Sequence, residues 1–430
     1  MRPFTPILAC LIAFLPLLHG HAAPPADPRQ YTDGVARVIE AHYFDAERGR
    51  LIADELRDEA RRGEFDAFRD RHELATALTA RLKPLDRHFS VSWRPPTEGT
   101  PAPRQGAGAR PSPEACDRKR NHGIRRVEVL PGKVGYLDLR QFAHFEYDCP
   151  GQPARDAIDA ALALLADVDA LIIDLRANGG GSPAMVGYLA SAFVPPDADI
   201  YNTFISRSGT SSEAPREPHA RPRLELPLYL LVSARTGSAA ESFAYTLKNA
   251  GRAVVVGEAT AGAANPGDEF DAGDGFHVFV STGSPVSPVT GGNWETEGVQ
   301  PDVDGPPADA LRMAHARALE SVLETGLPEA TGARWALEAL QAESAAPAPA
   351  SLADYTGRYG VIEIEARESG LLLRNGRRPP MPLRPLGGDL FTSADDPGFR
   401  IRFERDPDEQ VIALETLRPD GGIGRFRRDE

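Results

Sequence analysis

Three short runs in this chain are apolar at nearly every position: Ala170-Leu-Ile-Ile-Asp-Leu175, Leu228 to Val232, and Val254-Val-Val256. A strand with no polar face must be covered on both sides. A chain does this by flanking a parallel sheet with helices. The sequence between the runs supplies the helices. Ala157 to Val168 and Ala239 to Asn249 read as helical, and Met185, Leu189 and Phe193 keep helical spacing. Val134-Gly-Tyr-Leu-Asp-Leu139 reads as a further strand with partial alternation. Strand and helix alternate, which predicts an α/β core. Two more helical runs follow, Asp309 to Glu324 and Arg334 to Glu343.

The flanks differ in character. From Thr32 to Leu82, apolar residues such as Val35, Val38, Ile39 and Tyr43 recur at helical spacing, predicting a bundle of three helices. Residues 94–128 are led by a stretch rich in Pro, Gly and Ala, the composition of a linker or surface loop. Ala345-Ala-Pro-Ala-Pro-Ala-Ser351 is a second linker. Beyond it, segments such as Val361-Ile-Glu-Ile-Glu365 and Phe399-Arg-Ile-Arg-Phe403 alternate with Gly, Asp and Pro turns, predicting a small all-β module. The expected organisation is a leader over 1–22, a helical domain over 28–93, the loop over 94–128, an α/β domain over 129–343, a linker over 344–351 and the β module over 352–430.

The first residues carry Met1-Arg2, an apolar run from Ile7 to Leu18, then Gly20 and Ala22 at −3 and −1 of a cut after Ala22. This is the pattern of a secretory signal peptide, so the product is expected in the periplasm or outside the cell. Cys10 sits in a loose lipoprotein-like box but inside the apolar region, and would leave with the leader. Cys116 and Cys149 then remain. In an exported protein an even pair reads as a disulfide, against the simpler alternative of two unrelated thiols. No second segment is long and apolar enough to span a membrane. The net charge of −14 argues against nucleic acid and anionic membrane surfaces as partners. The sequence leaves the oligomeric state open.

Chemistry is concentrated in two places. No Cys/His cluster has metal-ligand spacing, and no glycine-rich segment lies where a dinucleotide loop would, so no metal and no cofactor is expected. In Arg235-Thr-Gly-Ser238-Ala-Ala-Glu241 a buried strand has just ended and a helix begins. Ser238 and Glu241 have the spacing of a capping box. The same serine is also placed for a nucleophile at a strand-to-helix turn, where helix amides stabilise an oxyanion. In Asp174-Leu-Arg176-Ala-Asn178-Gly179-Gly180-Gly181, three glycines follow another buried strand. They serve either a tight turn or backbone N–H groups turned toward a substrate. Together the two segments contain what acyl transfer needs.

These segments resemble the S41 serine peptidases, which include tail-specific, tricorn-type and interphotoreceptor-retinoid-binding-protein-like members. Asp174 to Gly181 is similar to the family's D-L-R-x-N-x-G-G, and Ser238-Ala-Ala-Glu241 to its nucleophile turn. Gly257-Glu-Ala-Thr260-Ala-Gly262 is similar to G-E-x-T-x-G, and Glu295-Thr-Glu297-Gly298-Val299-Gln-Pro-Asp302 to E-x-x-G-V-x-P-D. The resemblance implies a ClpP/crotonase-like core and a catalytic Ser238. It also implies an oxyanion hole from the N–H groups of Ala239, Gly179 and Gly180, with Asp174, Arg176 and Asn178 as structural support. The C-terminal module resembles a lipocalin-like barrel.

The branches of the family differ in the base. Tail-specific members resemble one another in a Ser/Lys dyad. This chain has only four lysines, Lys83, Lys119, Lys133 and Lys248. The nearest in sequence, Lys248, lies roughly 15 Å along the helix from Ser238. The other branches resemble a Ser/His/Glu arrangement, which here falls on His88 in Asp86-Arg87-His88 and on Glu295, with Glu297 as the alternative acid. A bare structural role for His88 also stands open. The stretch from His88 to Val134 leaves no room for the PDZ domain of tail-specific members. The expectation is an exported serine endopeptidase acting on peptides or unfolded proteins. The rivals are a non-catalytic module for apolar ligands or peptides on the same fold, and an esterase or amidase.

Overall fold

The computed structural model describes residues 27–95, 118–149, 151–325, 330–345, 351–367, 370–393 and 395–429. The leader, Cys10, Cys116, most of the Pro/Gly-rich loop and most of the second linker lie outside these residues.

Helices α1 (Pro28–His42), α2 (Ala46–Arg62) and α3 (Arg71–Leu82) each begin at an aspartate. Asp27, Asp45 and Asp70 each accept two backbone N–H groups of their first helical turn. This satisfies donors that no residue inside the helix can take. Strand β1 (Ser90–Trp93) follows.

The core comprises β2 (Ile124–Leu130), β3 (Val134–Leu139), α4 (Pro153–Leu164), β4 (Ala170–Asp174) and α5 (Pro183–Ala190). It continues through the hairpin β5 (Thr203–Ser206) and β6 (Gly209–Ser212), β7 (Leu228–Val232), α6 (Ala239–Asn249) and β8 (Val254–Gly257). Strands β9 (Gly267–Gly273), β10 (Phe276–Ser281), β11 (Gly283–Val286) and β12 (Val303–Asp304) precede α7 (Ala310–Glu324) and α8 (Thr331–Ala345). The main sheet has the order β12-β8-β7-β4-β3-β2, parallel except for β2. The three apolar runs are its neighbouring central strands. Strand β3 is buried at all six residues instead of alternating. One face packs with Phe142 and Phe243, and Tyr136 on the other packs under α7 and α8. The fold is of the expected α/β class, with a helical N-terminal region and a barrel-like C-terminal sheet.

The helices do not build a core from their own residues alone. β1 pairs with β10, which pairs with β9, and Phe276, Val278 and Val280 of β10 are buried among Tyr31, Val35, Leu78 and Phe89. The segment 267–281 thus crosses the boundary that composition suggests at 93. A helical trio this small buries little apolar surface, and a β-sheet face supplies the rest.

The C-terminal strands, from Gly357–Tyr359 to Ile423–Arg427, pair antiparallel in simple sequence order. The two ends meet where Asp429 N–H donates to Arg358 O at 2.8 Å. The interior is filled by Tyr355, Tyr359, Phe391 and Phe403, with aromatic centroids 4.8 to 5.8 Å apart. Arg400 docks the barrel on α8. Its guanidinium lies 4.2 Å from the Trp335 ring and 2.7 Å from Glu338. A cleft of 820 Å³ between core and barrel is lined by Leu130, Lys133, Ala333, Asp395 and Pro397. It includes none of the residues expected to carry chemistry.

Behind α6 lies a fully buried polar cluster. Glu213 and Asn202 face each other at the base of the β5–β6 hairpin, with Glu213 N–H donating to Asn202 O at 2.9 Å. Glu213 Oε2 accepts from Ser242 Oγ at 2.6 Å and Asn202 Nδ2 at 3.1 Å. Glu213 Oε1 and Asn202 Oδ1 are buried acceptors without a donor among the described residues. A proton on Glu213 supplies one. Burial, offset in part by Ser242 and Asn202, pushes its carboxyl up to about 7. The unfolded chain releases this proton near 4.5, so the folded state binds more protons between those values. Stability must therefore fall as pH rises through that window, by on the order of 3 kcal/mol. Glu213→Gln stays neutral and should flatten this part of the curve. Thermal melts of both proteins from pH 4.5 to 8 check it, and parallel curves would refute the assignment.

Candidate active site

The site gathers at the carboxyl ends of β4, β7 and β8, where ligands bind in open parallel sheets. After β4, Asp174 is buried. It accepts from Tyr136 OH at 2.7 Å, Arg176 Nη2 at 2.6 Å, and Arg176 Nε and N–H at 3.0 Å. Burial pushes the Asp174 carboxyl up, but Arg176 and Tyr136 outweigh it and hold it below its ordinary range. Its hydrogen bond to Asp174 raises the Arg176 guanidinium, which also reaches Pro307 O. Asn178, fully buried, donates to Leu139 O at 3.0 Å and accepts from Gly180 N–H at 2.9 Å. Its own carbonyl accepts from Gly237 N–H at 3.1 Å. One asparagine thus ties the glycine loop to the turn that carries Ser238.

Gly180 has φ of +116°, and a Cβ there would stand 2.8 Å from Ser238 Cβ and 3.1 Å from Ala239 N. Only glycine allows this approach. Ser238 itself has φ of +53°, a strained value for a residue with a side chain. Both readings of the serine are partly met. Glu241 accepts from Ser238 N–H at 2.8 Å, and the Ser238 side chain faces the backbone of Glu241, so the capping-box arrangement is present at the turn that also exposes the serine as a nucleophile candidate.

Of the three expected oxyanion donors, Gly180 needs correction. Its N–H is already committed to Asn178 Oδ1. The N–H groups of Ala239 and Gly179 make no hydrogen bond among the described residues. A Cβ on Gly179 would meet nothing within 4 Å, so this peptide borders open space.

Glu241, fully buried, does more than cap. It accepts from Thr260 Oγ1 at 2.5 Å, Gly262 N–H at 2.6 Å and Ala263 N–H at 2.9 Å. The next two amides of the same loop, Ala264 and Asn265, donate to Glu295 Oε2 at 2.9 and 3.2 Å. Thr260 Oγ1 in turn accepts from Val299 N–H at 2.7 Å, and Arg87 donates to Thr296 O at 2.8 Å. The loop after β8 is thus pinned between α6 and the Glu295 segment. Trp294, buried against Tyr245 of α6, anchors that segment.

His88 approaches from the helical region. It lies between α3 and β1, held by the fully buried Phe89. Asp86 Oδ1 accepts both His88 N–H at 2.9 Å and His88 Nδ1 at 3.0 Å, a local Asx turn. Asp86 Oδ2 accepts from Ser281 Oγ of β10 at 2.8 Å. Glu295 Oε1 lies 3.5 Å from the same Nδ1. The hydrogen bond to Asp86, with the Glu295 charge, raises the imidazole above its ordinary value despite burial. Burial pushes Asp86 up, but His88 and Ser281 hold it below the usual range. Burial raises Glu295, against the pull of His88 and the loop amides. With Nδ1 facing two carboxylates, the neutral ring keeps its proton there and leaves Nε2 as acceptor. No hydrogen bond joins Ser238 to His88 among the described residues.

Glu297 is exposed and belongs to neither cluster. Lys248 pairs with Asp302 at 2.9 Å and donates to Gln300 O at 2.5 Å, away from Ser238. Cys149 is exposed, and its expected partner Cys116 lies outside the described residues. Two residues were missed in sequence. Asp86 faces His88 more closely than Glu295 does, and Arg87 clamps the two loops. The signal was present in Asp86-Arg87-His88, where an aspartate two residues before a histidine can form an Asx turn. Among the described residues no helix is long and apolar enough to cross a membrane.

Comparison with known proteins adds a family match for part of the chain. Residues 133–304 match Peptidase family S41. Over 196 residues the chain is 31% identical to carboxyl-terminal-processing peptidase 1, chloroplastic, of Arabidopsis thaliana, covering 44% of this chain and 37% of that protein. Over 161 residues it is 30% identical to the carboxyl-terminal-processing protease of Synechocystis sp., covering 37% and 35%. The chain spans about a third of the length of these curated relatives. Among solved structures, the photosystem II D1 C-terminal processing protease is similar at 18% identity and a TM-score of 0.42, over 66% of this chain and 94% of that one. The stretch of the α/β core that carries Asp174, Ser238 and Glu295 is thus the part of the chain that is similar to peptidase family S41.

Proposed function

We propose that the chain is a serine-type endopeptidase that uses Ser238 as nucleophile and His88 as base, with Asp86 and Glu295 both orienting the imidazole. The observation that carries this reading is the loop 260–265. Its consecutive amides bind Glu241 beneath Ser238 and Glu295 beside His88. A loop with only a packing role has no need to join these two side chains.

In this mechanism Ser238 Oγ attacks a peptide carbonyl and its proton passes to His88 Nε2. Catalytic hydrogen bonds are often long before substrate binds, so substrate closes the gap between the two groups. The developing oxyanion takes the N–H groups of Ala239 and Gly179, aided by the N-terminus of α6. His88 then gives the proton to the leaving amine, and water repeats the cycle on the acyl-enzyme. Peptides or unfolded proteins are the substrates, and the leader at 1–22 directs the chain out of the cytoplasm.

A fluorophosphonate probe tests the reading. Wild type and Lys248→Ala should label, whereas Ser238→Ala should not and His88→Ala should label on the order of 10²-fold more slowly. Absence of labelling in wild type would sink the peptidase. Slow labelling of Lys248→Ala with intact folding would sink the histidine assignment.

The pH profile tests Asp86. A base must be neutral, so the labelling rate should rise with pH through a His88 value above the ordinary 6.5. Asp86→Asn removes the main raising contact and should move that limb to lower pH while slowing the rate. An unmoved limb would exclude Asp86 from the role. Gly180→Ala should abolish labelling with little loss of secondary structure, because its Cβ overlaps Ser238 Cβ. Normal labelling would show that the close approach is dispensable.

A further inference from the structure

Asp86, His88 and Glu295 offer one ligand atom each, all within 4.8 Å of one another. The two distances from Nδ1 are 3.0 Å to Asp86 Oδ1 and 3.5 Å to Glu295 Oε1. Ligands of a tetrahedral zinc ion stand about 3.3 Å apart when metal–ligand bonds are about 2.0–2.1 Å. The two observed edges bracket that value. Each carboxylate is also oriented from behind. Ser281 Oγ holds Asp86 Oδ2, and the Ala264 and Asn265 amides hold Glu295 Oε2, leaving Oδ1 and Oε1 turned to the ring nitrogen. Outer partners of this kind orient the ligands of metal sites. Asp86 Oδ1 also accepts the His88 N–H, which uses one lone pair and leaves another.

We propose that Asp86 Oδ1, His88 Nδ1 and Glu295 Oε1 form a binding site for Zn²⁺ or a similar first-row divalent ion, and that its occupancy switches the peptidase off. The inhibitory half rests on the reading of His88 as base. One nitrogen and two oxygens suit a borderline ion such as Zn²⁺. Ca²⁺ requires six to eight oxygens and is not accommodated. The ion takes the Nδ1 lone pair, and the neutral ring carries its one proton on Nε2. A nitrogen that already holds a proton cannot take one from Ser238. The two carboxylates that orient the base in the free protein thus neutralise the ion in the inhibited one, with no redox step and no change in the covalent chain.

Calorimetric titration of Zn²⁺ into the full chain tests the site, with Ser238→Ala as a variant outside it. One equivalent should bind to wild type and Ser238→Ala, weaken roughly tenfold or more in Glu295→Gln, and disappear in His88→Ala. Ca²⁺ should not compete. Thermal melts guard against misfolding, since Zn²⁺ should raise the melting temperature of Ser238→Ala but not of His88→Ala. A full zinc response in His88→Ala overturns the site, as does equal binding of Ca²⁺. For the inhibitory half, saturating Zn²⁺ should slow fluorophosphonate labelling of wild type by roughly 100-fold, and a chelator should restore it. Binding through His88 with an unchanged labelling rate overturns the switch. If the metal-free chain does not label at all, the peptidase reading and the switch fail together, and the titration alone still decides the zinc site.

Discussion

Two buried or half-buried carboxylates hold one loop between them, and the rest of the site depends on that clamp. Glu241 takes the amides of Gly262 and Ala263 together with Ser238 N–H, and Glu295 takes Ala264 and Asn265. A carboxylate away from water is tolerated only when several donors surround it. The same donors fix where the loop runs. Glu241 therefore acts on Ser238 twice, through its backbone N–H and through the loop in front of it.

The sheet explains why strain collects here. Parallel strands buried on both faces cannot carry polar chemistry along their length. The chemistry is pushed to their carboxyl ends, into short turns. Those turns must reverse the chain while keeping amides exposed. Positive φ at Ser238, Gly180, Gly181, Gly262 and Thr296 is the local consequence. The strain persists because Asn178, Thr236 and Thr260 tie the turns to one another through side-chain bonds to backbone.

Much of this was legible in the sequence. Apolar runs without a polar face announced the central strands. The helix from Ala239 to Asn249 was readable to its ends, since glycine and serine precede it and Gly251 follows. Ser238, the glycine loop and the Glu295 segment were marked by their residue types and by resemblance to a family. Other features were not legible. Gly180 has the residue type of an oxyanion donor, but Asn178 Oδ1 occupies its N–H. Asp86 was read only as a flank of His88, because the competing pull of two acids on one nitrogen requires their distances. The partnership of β10 with the helices was hidden because pairing partners lie far apart in the chain.

The sequence by itself determined the class of fold and the residue types of the strand-to-helix turn at Ser238. Both are local properties: apolar periodicity selects strand or helix, and a serine between a glycine and a helix start reads as a cap or as a nucleophile. The tertiary structure decided that two carboxylates meet at His88 and what orients them. His88 and Glu295 are far apart in sequence, and β10 supplies the Ser281 contact that holds Asp86 in place. Such meetings are set by packing of the sheet against the helices, since a side chain's partner depends on distance and burial, which no local pattern encodes.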